Sequence, residues 1–206
     1  MRTGILGGTF DPVHIAHLHA GETALHQAGL DRVLFMPAGD PWQKAARPVT
    51  DARRRLEMVR LAVQGVPGFE VDEREVLREG PTYTVETLAS FPDDEELYLI
   101  LGADSALGIG SWQRYEEVLD RVTLLVAPRP GFDPDEVLAM IPDAVFLNMA
   151  PLGVRGTEIR AMAGEGRPFR FLVTDAVYRY IMEQNLYTEG VGADRVGGPE
   201  TSEEQS

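Results

Sequence analysis

The chain has 206 residues and a formal net charge of −14 at pH 7, and its length suffices for one ample domain or at most two small ones. It contains no cysteine, which excludes a disulfide scaffold, a thiolate zinc site, an iron–sulfur cluster and a thiol nucleophile. The acidic balance argues against general nucleic-acid binding, because a phosphate backbone requires a basic surface.

The first residues run straight into a strand-like segment, without the apolar core and small-residue cleavage site of a signal peptide. No segment approaches the roughly 18 consecutive apolar residues of a membrane-spanning helix. We therefore expect a soluble, cytoplasmic protein that does not bind membranes.

Short β-branched or leucine-rich runs alternate with amphipathic stretches along most of the chain. The predicted strands are 3–6, 32–36, 69–71, 97–101, 122–126 and 144–147. The predicted helices between them are 15–27, 52–64 (capped by Thr50 or Asp51), 84–90, 114–120 and 134–140. This alternation predicts an α/β fold with a Rossmann-like, doubly wound and mainly parallel sheet.

After Asn148 the strand-like runs stop. Segments 157–163 and 174–184 have helical periodicity, so residues 148–187 are predicted to form a small helical C-terminal cap. Residues 188–206 are rich in Gly, Glu and Ser with almost nothing to bury, which predicts a disordered acidic tail after a single domain at 1–187.

The most informative segment is Gly-Gly-Thr-Phe-Asp-Pro-Val-His-Ile-Ala-His, residues 7–17. Gly7 and Gly8 follow the first strand, where the absence of side chains lets a backbone approach a ligand closely. The helix that follows presents its positive N-terminal end, which favours an anion at the carboxyl edge of the sheet. A third glycine at dinucleotide-binding spacing is absent, so hydride transfer loses its best support.

His14 and His17 are three residues apart, so a helix places them on one face in its first turn. Two imidazoles beside a polyphosphate can donate hydrogen bonds and, when protonated, offset developing charge. A pair that merely caps the helix is the alternative, and a zinc site is a further one that would need Asp11 as a third ligand. His19 and His26 are interpreted as ordinary helix residues.

The histidine pair also carries a family resemblance. His14-Ile15-Ala16-His17 resembles the His-x-Gly-His or Thr-x-Gly-His signature of nucleotidyltransferases in the α/β phosphodiesterase superfamily, with Ala16 in place of glycine. Gly-Thr-Glu-Ile-Arg at 156–160 is similar to the superfamily's second element, a hydroxyl residue shortly before Ile-Arg at a helix start.

Segments in the middle of the chain narrow the resemblance. Residues 80–88, Gly-Pro-Thr-Tyr-Thr-Val-Glu-Thr-Leu, look like the Gly-Pro-Ser-Tyr-Thr-x-x-Thr-Leu segment of bacterial nicotinate-nucleotide adenylyltransferases. Three further segments, at 37–44, 101–104 and 127–131, are similar to other motifs of the same family. The motifs follow one another in the family's order, so the resemblance spans about residues 1–187. One departure lies at 154–157, where Val-Arg-Gly-Thr replaces the family's Ile-Ser-Ser-Thr and two serine hydroxyls are missing.

The resemblance implies adenylyl transfer from ATP to nicotinate mononucleotide, giving nicotinate adenine dinucleotide and pyrophosphate in NAD biosynthesis. The implied catalytic residues are His14, His17 and Arg160. The implied ATP-binding residues are Gly7, Gly8, Thr9, His17, Gly102, Asp104, Thr157 and Arg160. Mg²⁺ is expected to arrive with ATP and not in a dedicated protein site.

The implied binding residues for nicotinate mononucleotide are Lys44, Arg47, Tyr83, Thr84 and Trp112. Lys44 is the only lysine of the chain, and Trp112 is expected to stack on the pyridine ring. The role of Trp42 stays open. The resemblance also implies that Asp104 binds the ribose hydroxyls of ATP, whereas local pattern offers Asp104 as the N-cap of a helix from Ser105, and both can hold. Local pattern also predicts Asp11 to be a turn residue.

Two other functions remain open at this point. Phosphopantetheine adenylyltransferase shares the histidine motif, although it is expected to lack the 80–88 segment. A non-catalytic nucleotide sensor on the same fold is favoured by Ala16 and by the missing serines. The partners expected are ATP and nicotinate mononucleotide, with a homo-oligomer as a possibility.

Overall fold

A computed structural model describes residues 1–39 and 49–188. The strands are β1 (Arg2–Gly8), β2 (Arg32–Pro37), β3 (Phe69–Val71), β4 (Glu96–Gly102), β5 (Val122–Ala127) and β6 (Val145–Phe146). The helices are α1 (Ile15–Gln27), α2 (Ala52–Val63), α3 (Arg74–Leu77), α4 (Thr84–Leu88), α5 (Ala103–Leu107), α6 (Tyr115–Arg121), α7 (Pro134–Met140), α8 (Gly156–Gly164) and α9 (Asp175–Glu183).

The six strands form one sheet in the order β3-β2-β1-β4-β5-β6, and every neighbouring pair is parallel. The chain moves outward from β1 to β3 and then returns to place β4 beside β1. This reversal is the topological switch point of a doubly wound fold, where the carboxyl ends of the strands leave a crevice. The predicted Rossmann-like α/β fold is confirmed.

Both faces of the sheet are covered by helices, as the uninterrupted apolar strands predict. Successive residues of β1 show this, because Leu6 joins the buried cluster under α1 and α2 while Ile5 joins the cluster on the opposite face under α4 to α7. In β4 the whole run 97–101 is buried.

The C-terminal part packs on the α1–α2 face. Ile159 of α8 and Val177 and Ile181 of α9 are buried in the same cluster as Leu6 and Met58. The predicted helical cap is thus part of the main core. The boundary with the acidic tail stays a prediction, because residues 189–206 lie outside the described residues.

Most predicted bounds differ from the observed ones by one or two residues. One helix, α3, was missed, and α5 begins at Ala103, two residues before the helix from Ser105 that was considered as an alternative; they have four and five residues. Such short helices span too few turns for a hydrophobic period to appear. Within the described residues, no helix is long and apolar enough to cross a bilayer.

Candidate active site

Two cavities meet at the carboxyl ends of β1 and β4. The larger, of about 310 Å³, and the smaller, of about 220 Å³, share a wall made by Gly7, Gly8, Thr9, Leu101, Asp104 and Ser105. The strand register places Gly8 opposite Pro37 and Gly102 opposite Ala127, at the last paired positions of β1 and β4. The crevice therefore lies at the switch point, and its shared wall is backbone-rich.

Gly7 is exposed, and a Cβ built there would meet no atom within 4 Å. Since Gly7 lines both cavities, that open space belongs to the crevice. Three residues further on, Phe10 takes a left-handed backbone conformation with φ 49°, which is uncommon for a bulky residue. Its buried ring meets the His17 ring edge-on, with centroids 4.9 Å apart, and so helps to fix the imidazole.

The two histidines occupy different environments although they touch. Their rings stack with centroids 3.7 Å apart and planes 18° apart, and the backbone N–H of His14 donates to Nδ1 of His17 at 3.2 Å. His17 lines the smaller cavity, whereas His14 is 2% exposed. Because Nδ1 of His17 accepts a hydrogen bond, a neutral His17 ring carries its proton on Nε2 and is a donor there.

Burial and, to a smaller extent, the positive charge of Arg129 together lower the pKa of His14 to about 3. His14 is therefore neutral at physiological pH. The expectation that both imidazoles could be protonated near the phosphates is wrong for His14, because a buried ring with a cationic neighbour cannot hold a second proton.

Arg160 lines the smaller cavity together with Thr157 and Gly156 of α8, and Gly7 and Gly8 at the end of β1 line the same cavity. Its Nη1 donates to the backbone oxygen of Asp11 at 2.5 Å and lies 3.8 Å from Oδ2 of the same residue. A guanidinium from the C-terminal third thus shares a cavity with His17.

Gly156, at one of the two positions where the family's serines are replaced, is tightly packed. A Cβ at this position would lie 2.7 Å from the backbone oxygen of Asp11, closer than real Cβ contacts. The first turn of α8 therefore sits against the loop after β1 with no room for a side chain. Arg155, the N-cap residue of α8, is exposed and supplies no side-chain cap.

Asp11 lies in a turn, as predicted, but the structure also gives it long-range partners that the sequence analysis did not foresee. It is 6% exposed, accepts a hydrogen bond from the Tyr187 hydroxyl at 2.8 Å, and accepts another from the Thr50 backbone N–H at 3.4 Å. These partners lie 176 and 39 residues away in sequence, so local pattern gave no sign of them.

Arg55 is a second residue that the sequence analysis missed. It is 1% exposed, and its guanidinium donates to the backbone oxygens of Thr50, Thr9, Ala38 and Gly39 at 2.7 to 2.9 Å. Burial lowers its pKa. A signal was present, because Arg55 falls on the same helical face as the buried residues Met58, Val59 and Ala62.

Asp104 lines both cavities from the first turn of α5 and pairs with Arg129, whose Nε lies 3.2 Å from Oδ1. The helix begins at Ala103 with Gly102 as N-cap, so the alternative that Asp104 caps a helix starting at Ser105 is wrong. A Cβ on Gly102 would lie 2.6 Å from the Asp104 carboxylate and 3.1 Å from Nε of Arg129. Arg129, not singled out from the sequence, thus lies directly against Gly102, one of the residues that the resemblance implies for ATP binding.

The larger cavity brings together Tyr83, Thr84 and Trp112, three of the five residues predicted for the mononucleotide. The other two, Lys44 and Arg47, lie outside the described residues, as does Trp42. Glu75 also lines this cavity and was not foreseen. Its pKa is raised by burial, and its Oε1 accepts the Thr87 hydroxyl at 2.7 Å.

Within residues 1–39 and 49–188, no group of three or more His, Asp or Glu side chains is arranged to hold a metal ion. The described part of the chain therefore offers no support for a zinc site built on His14, His17 and Asp11.

Comparisons with known proteins are consistent with this geometry. The model of the cytidylyltransferase-like family matches residues 5–162. A probable nicotinate-nucleotide adenylyltransferase of Desulfitobacterium hafniense is 41% identical, covering 90% of this chain and 95% of that protein. One from Symbiobacterium thermophilum is 38% identical, with 92% and 96% covered.

Among solved structures, the chain is similar to the Plasmodium falciparum nicotinic acid mononucleotide adenylyltransferase complexed with NaAD. The TM-score is 0.76 at 18% identity, covering 90% of this chain and 97% of that one. The structure of the same Plasmodium enzyme complexed with APC gives a TM-score of 0.73. At this identity the likeness concerns the fold.

Proposed function

We propose that this chain, which belongs to the nicotinate-nucleotide adenylyltransferases within the cytidylyltransferase-like family, transfers the adenylyl group of ATP to nicotinate mononucleotide. The products are nicotinate adenine dinucleotide and pyrophosphate, one step before amidation in NAD biosynthesis. The observation that carries the assignment is the pair of cavities that share a glycine-rich wall, one beside His17 and Arg160 and the other beside Trp112.

The smaller cavity is proposed for ATP. Arg160 and Nε2–H of His17 face the triphosphate, and Thr157 adds a hydroxyl at the start of α8. Gly7, Gly8 and Thr9 offer backbone at close range, while Asp104 binds the ribose hydroxyls and Gly102 lies against the adenine. Buried and neutral, His14 acts by stacking on His17 and by donating its backbone N–H to it, so its role in catalysis is to orient that ring.

The larger cavity is proposed for nicotinate mononucleotide. Trp112 offers a flat aromatic face to the pyridine ring, and the Tyr83–Thr84 backbone and the Thr84 hydroxyl offer donors to its carboxylate. Lys44 and Arg47 remain proposals for the mononucleotide phosphate.

The reaction requires no nucleophile from the protein. An ionised phosphate oxygen of the mononucleotide attacks the α-phosphorus of ATP, a new P–O bond forms, and the bond to the β-phosphate oxygen breaks. The electron pair leaves with pyrophosphate, where His17 and Arg160 offset the growing negative charge. Catalysis thus consists of aligning two anions and stabilising the leaving group.

Mg²⁺ is proposed to enter as part of the Mg-ATP substrate, because it prefers phosphate oxygens and water as ligands. The donors of the smaller cavity suit that arrangement, since Arg160 and His17 bind phosphate oxygens and do not compete for the metal.

The test is an assay of the purified full chain with Mg-ATP and nicotinate mononucleotide, following pyrophosphate. Release that depends on both substrates is expected. Phosphopantetheine as the second substrate tests the related adenylyltransferase, and the amide mononucleotide tests selectivity for the acid. A folded protein that binds Mg-ATP but releases no pyrophosphate would instead be a nucleotide sensor.

A further inference from the structure

The last described turn of the chain contacts the loop that follows β1, through Tyr187 and Asp11. Tyr187 donates its hydroxyl proton to Oδ1 of Asp11 at 2.8 Å, and the same oxygen of the phenol contacts the Thr50 side chain. Burial raises the pKa of the Tyr187 phenol, and the Asp11 carboxylate raises it further, so the hydroxyl keeps its proton and acts as a donor.

The Asp11 carboxylate has two neutral hydrogen-bond donors and one charged neighbour. Oδ1 accepts the neutral hydroxyl of Tyr187, whereas Oδ2 accepts the Thr50 N–H at 3.4 Å and lies 3.8 Å from Nη1 of Arg160. At 3.8 Å the two charges attract each other without forming a hydrogen bond between them. The hydrogen bond of Arg160 goes instead to the backbone oxygen of Asp11.

We propose that Tyr187 is a positioning residue for nucleotidyl transfer: its hydroxyl holds the Asp11 carboxylate back from Arg160, which leaves the guanidinium available to the triphosphate. The inference rests on the proposed function for the role of Arg160. The C-terminal end of the domain then acts on ATP binding indirectly, through Asp11 and Arg160, because Tyr187 lines neither cavity.

The physical reason is a competition for one carboxylate. Without the hydroxyl, Oδ1 has lost a hydrogen-bond donor in a buried setting, which is costly. The carboxylate then rotates to form a charge-assisted hydrogen bond with the neighbouring guanidinium, the strongest donor within reach. A directly paired Arg160 presents less positive charge to ATP.

The variant Tyr187→Phe removes the hydroxyl and keeps the ring. In the full chain we expect kcat/KM for ATP to fall about tenfold, with KM for nicotinate mononucleotide changed less than about twofold. The matched control is Tyr178→Phe, which removes a hydroxyl on α9 that lies outside both cavities. Equal kcat/KM for ATP in Tyr187→Phe and wild type overturns the proposal.

A double-mutant cycle distinguishes positioning from a general structural role. In the Arg160→Lys background, Tyr187→Phe should cost less than about threefold, because the guanidinium it protects is already gone. Fully additive losses, or equal losses for both substrates, overturn the proposal. Thermal melting confirms that each variant is folded at the assay temperature.

Calorimetric titration with Mg-ATP alone separates this inference from the proposed function. If wild type binds Mg-ATP but does not turn over nicotinate mononucleotide, the proposed function fails, and weaker Mg-ATP binding by Tyr187→Phe than by Tyr178→Phe still supports the positioning role. Unchanged Mg-ATP affinity in Tyr187→Phe overturns it.

Discussion

His14 and His17 stack face to face with their ring centroids 3.7 Å apart, yet only His17 lines the smaller cavity. The His14 imidazole is buried in the packing, whereas the His17 imidazole is the one we propose as a hydrogen-bond donor to the phosphates of ATP. This difference separates the consequences of substituting them.

His17→Ala should lower kcat by about 100-fold or more, because it removes a donor to the developing charge on pyrophosphate. Thermal stability should change little, since the side chain is only partly buried.

His14→Ala should lower activity and also the free energy of unfolding, by about 2 to 4 kcal/mol, because it leaves a cavity under the stacked ring. Steady-state kinetics and urea unfolding of both variants check this, with His19→Ala as the control. A large loss of stability in His17→Ala without loss of turnover would reassign that residue to structure.

The buried His14 should make the folded state sensitive to acid. Its folded pKa, about 3, is below the usual value of 6.5, so the unfolded chain binds the proton more readily between these pH values. The contribution of His14 is fully present above about pH 6.5 and is lost as the pH falls, with a slope of up to about 1.4 kcal/mol per pH unit.

Urea unfolding of the wild type and of His14→Asn at pH 7.5 and pH 5.5 measures this slope. The variant should lose less stability between the two pH values than the wild type does. Identical losses would contradict the low pKa of His14, and His19→Asn provides the control.

Arg55 should contribute more to stability than any exposed arginine of α2. Arg55→Ala leaves four backbone oxygens without their donor, and we expect it to lower the free energy of unfolding by about 3 to 5 kcal/mol. Arg53→Ala, at an exposed position on the same helix, should change it by less than about 0.5 kcal/mol. Chemical denaturation of both variants decides the matter, and similar midpoints for the two would refute the structural role of the guanidinium.

Gly7→Ala tests the open space above β1. Since a Cβ there meets no protein atom within 4 Å, the melting temperature should stay within a few degrees of wild type. The methyl group enters the crevice, so KM for one or both substrates should rise about tenfold through lost close approach of the backbone. Gly110→Ala is a suitable control, because a Cβ there also meets nothing and Gly110 lines neither cavity. Unchanged KM values would place the ligands away from Gly7.

The sequence by itself determined what depends on short-range geometry. The apolar run at 97–101 required a strand covered on both faces, and the spacing of His14 and His17 required neighbouring rings. The two glycines, which end β1, indicated the edge of the sheet where we propose that ligands bind. These features repeat over two to four residues, so periodicity and turn chemistry reveal them directly.

Only the tertiary structure decided what depends on partners distant in sequence. Asp11 meets Thr50, Arg160 and Tyr187 across separations of 39, 149 and 176 residues, and no local pattern distinguishes such an aspartate from one in a solvated turn. The burial that lowers the pKa of His14 and the enclosure of Arg55 by four carbonyl groups likewise arise from packing between elements. A side chain's charge and hydrogen bonds are set by everything that surrounds it, and in a folded chain most of those surroundings come from elsewhere in the sequence.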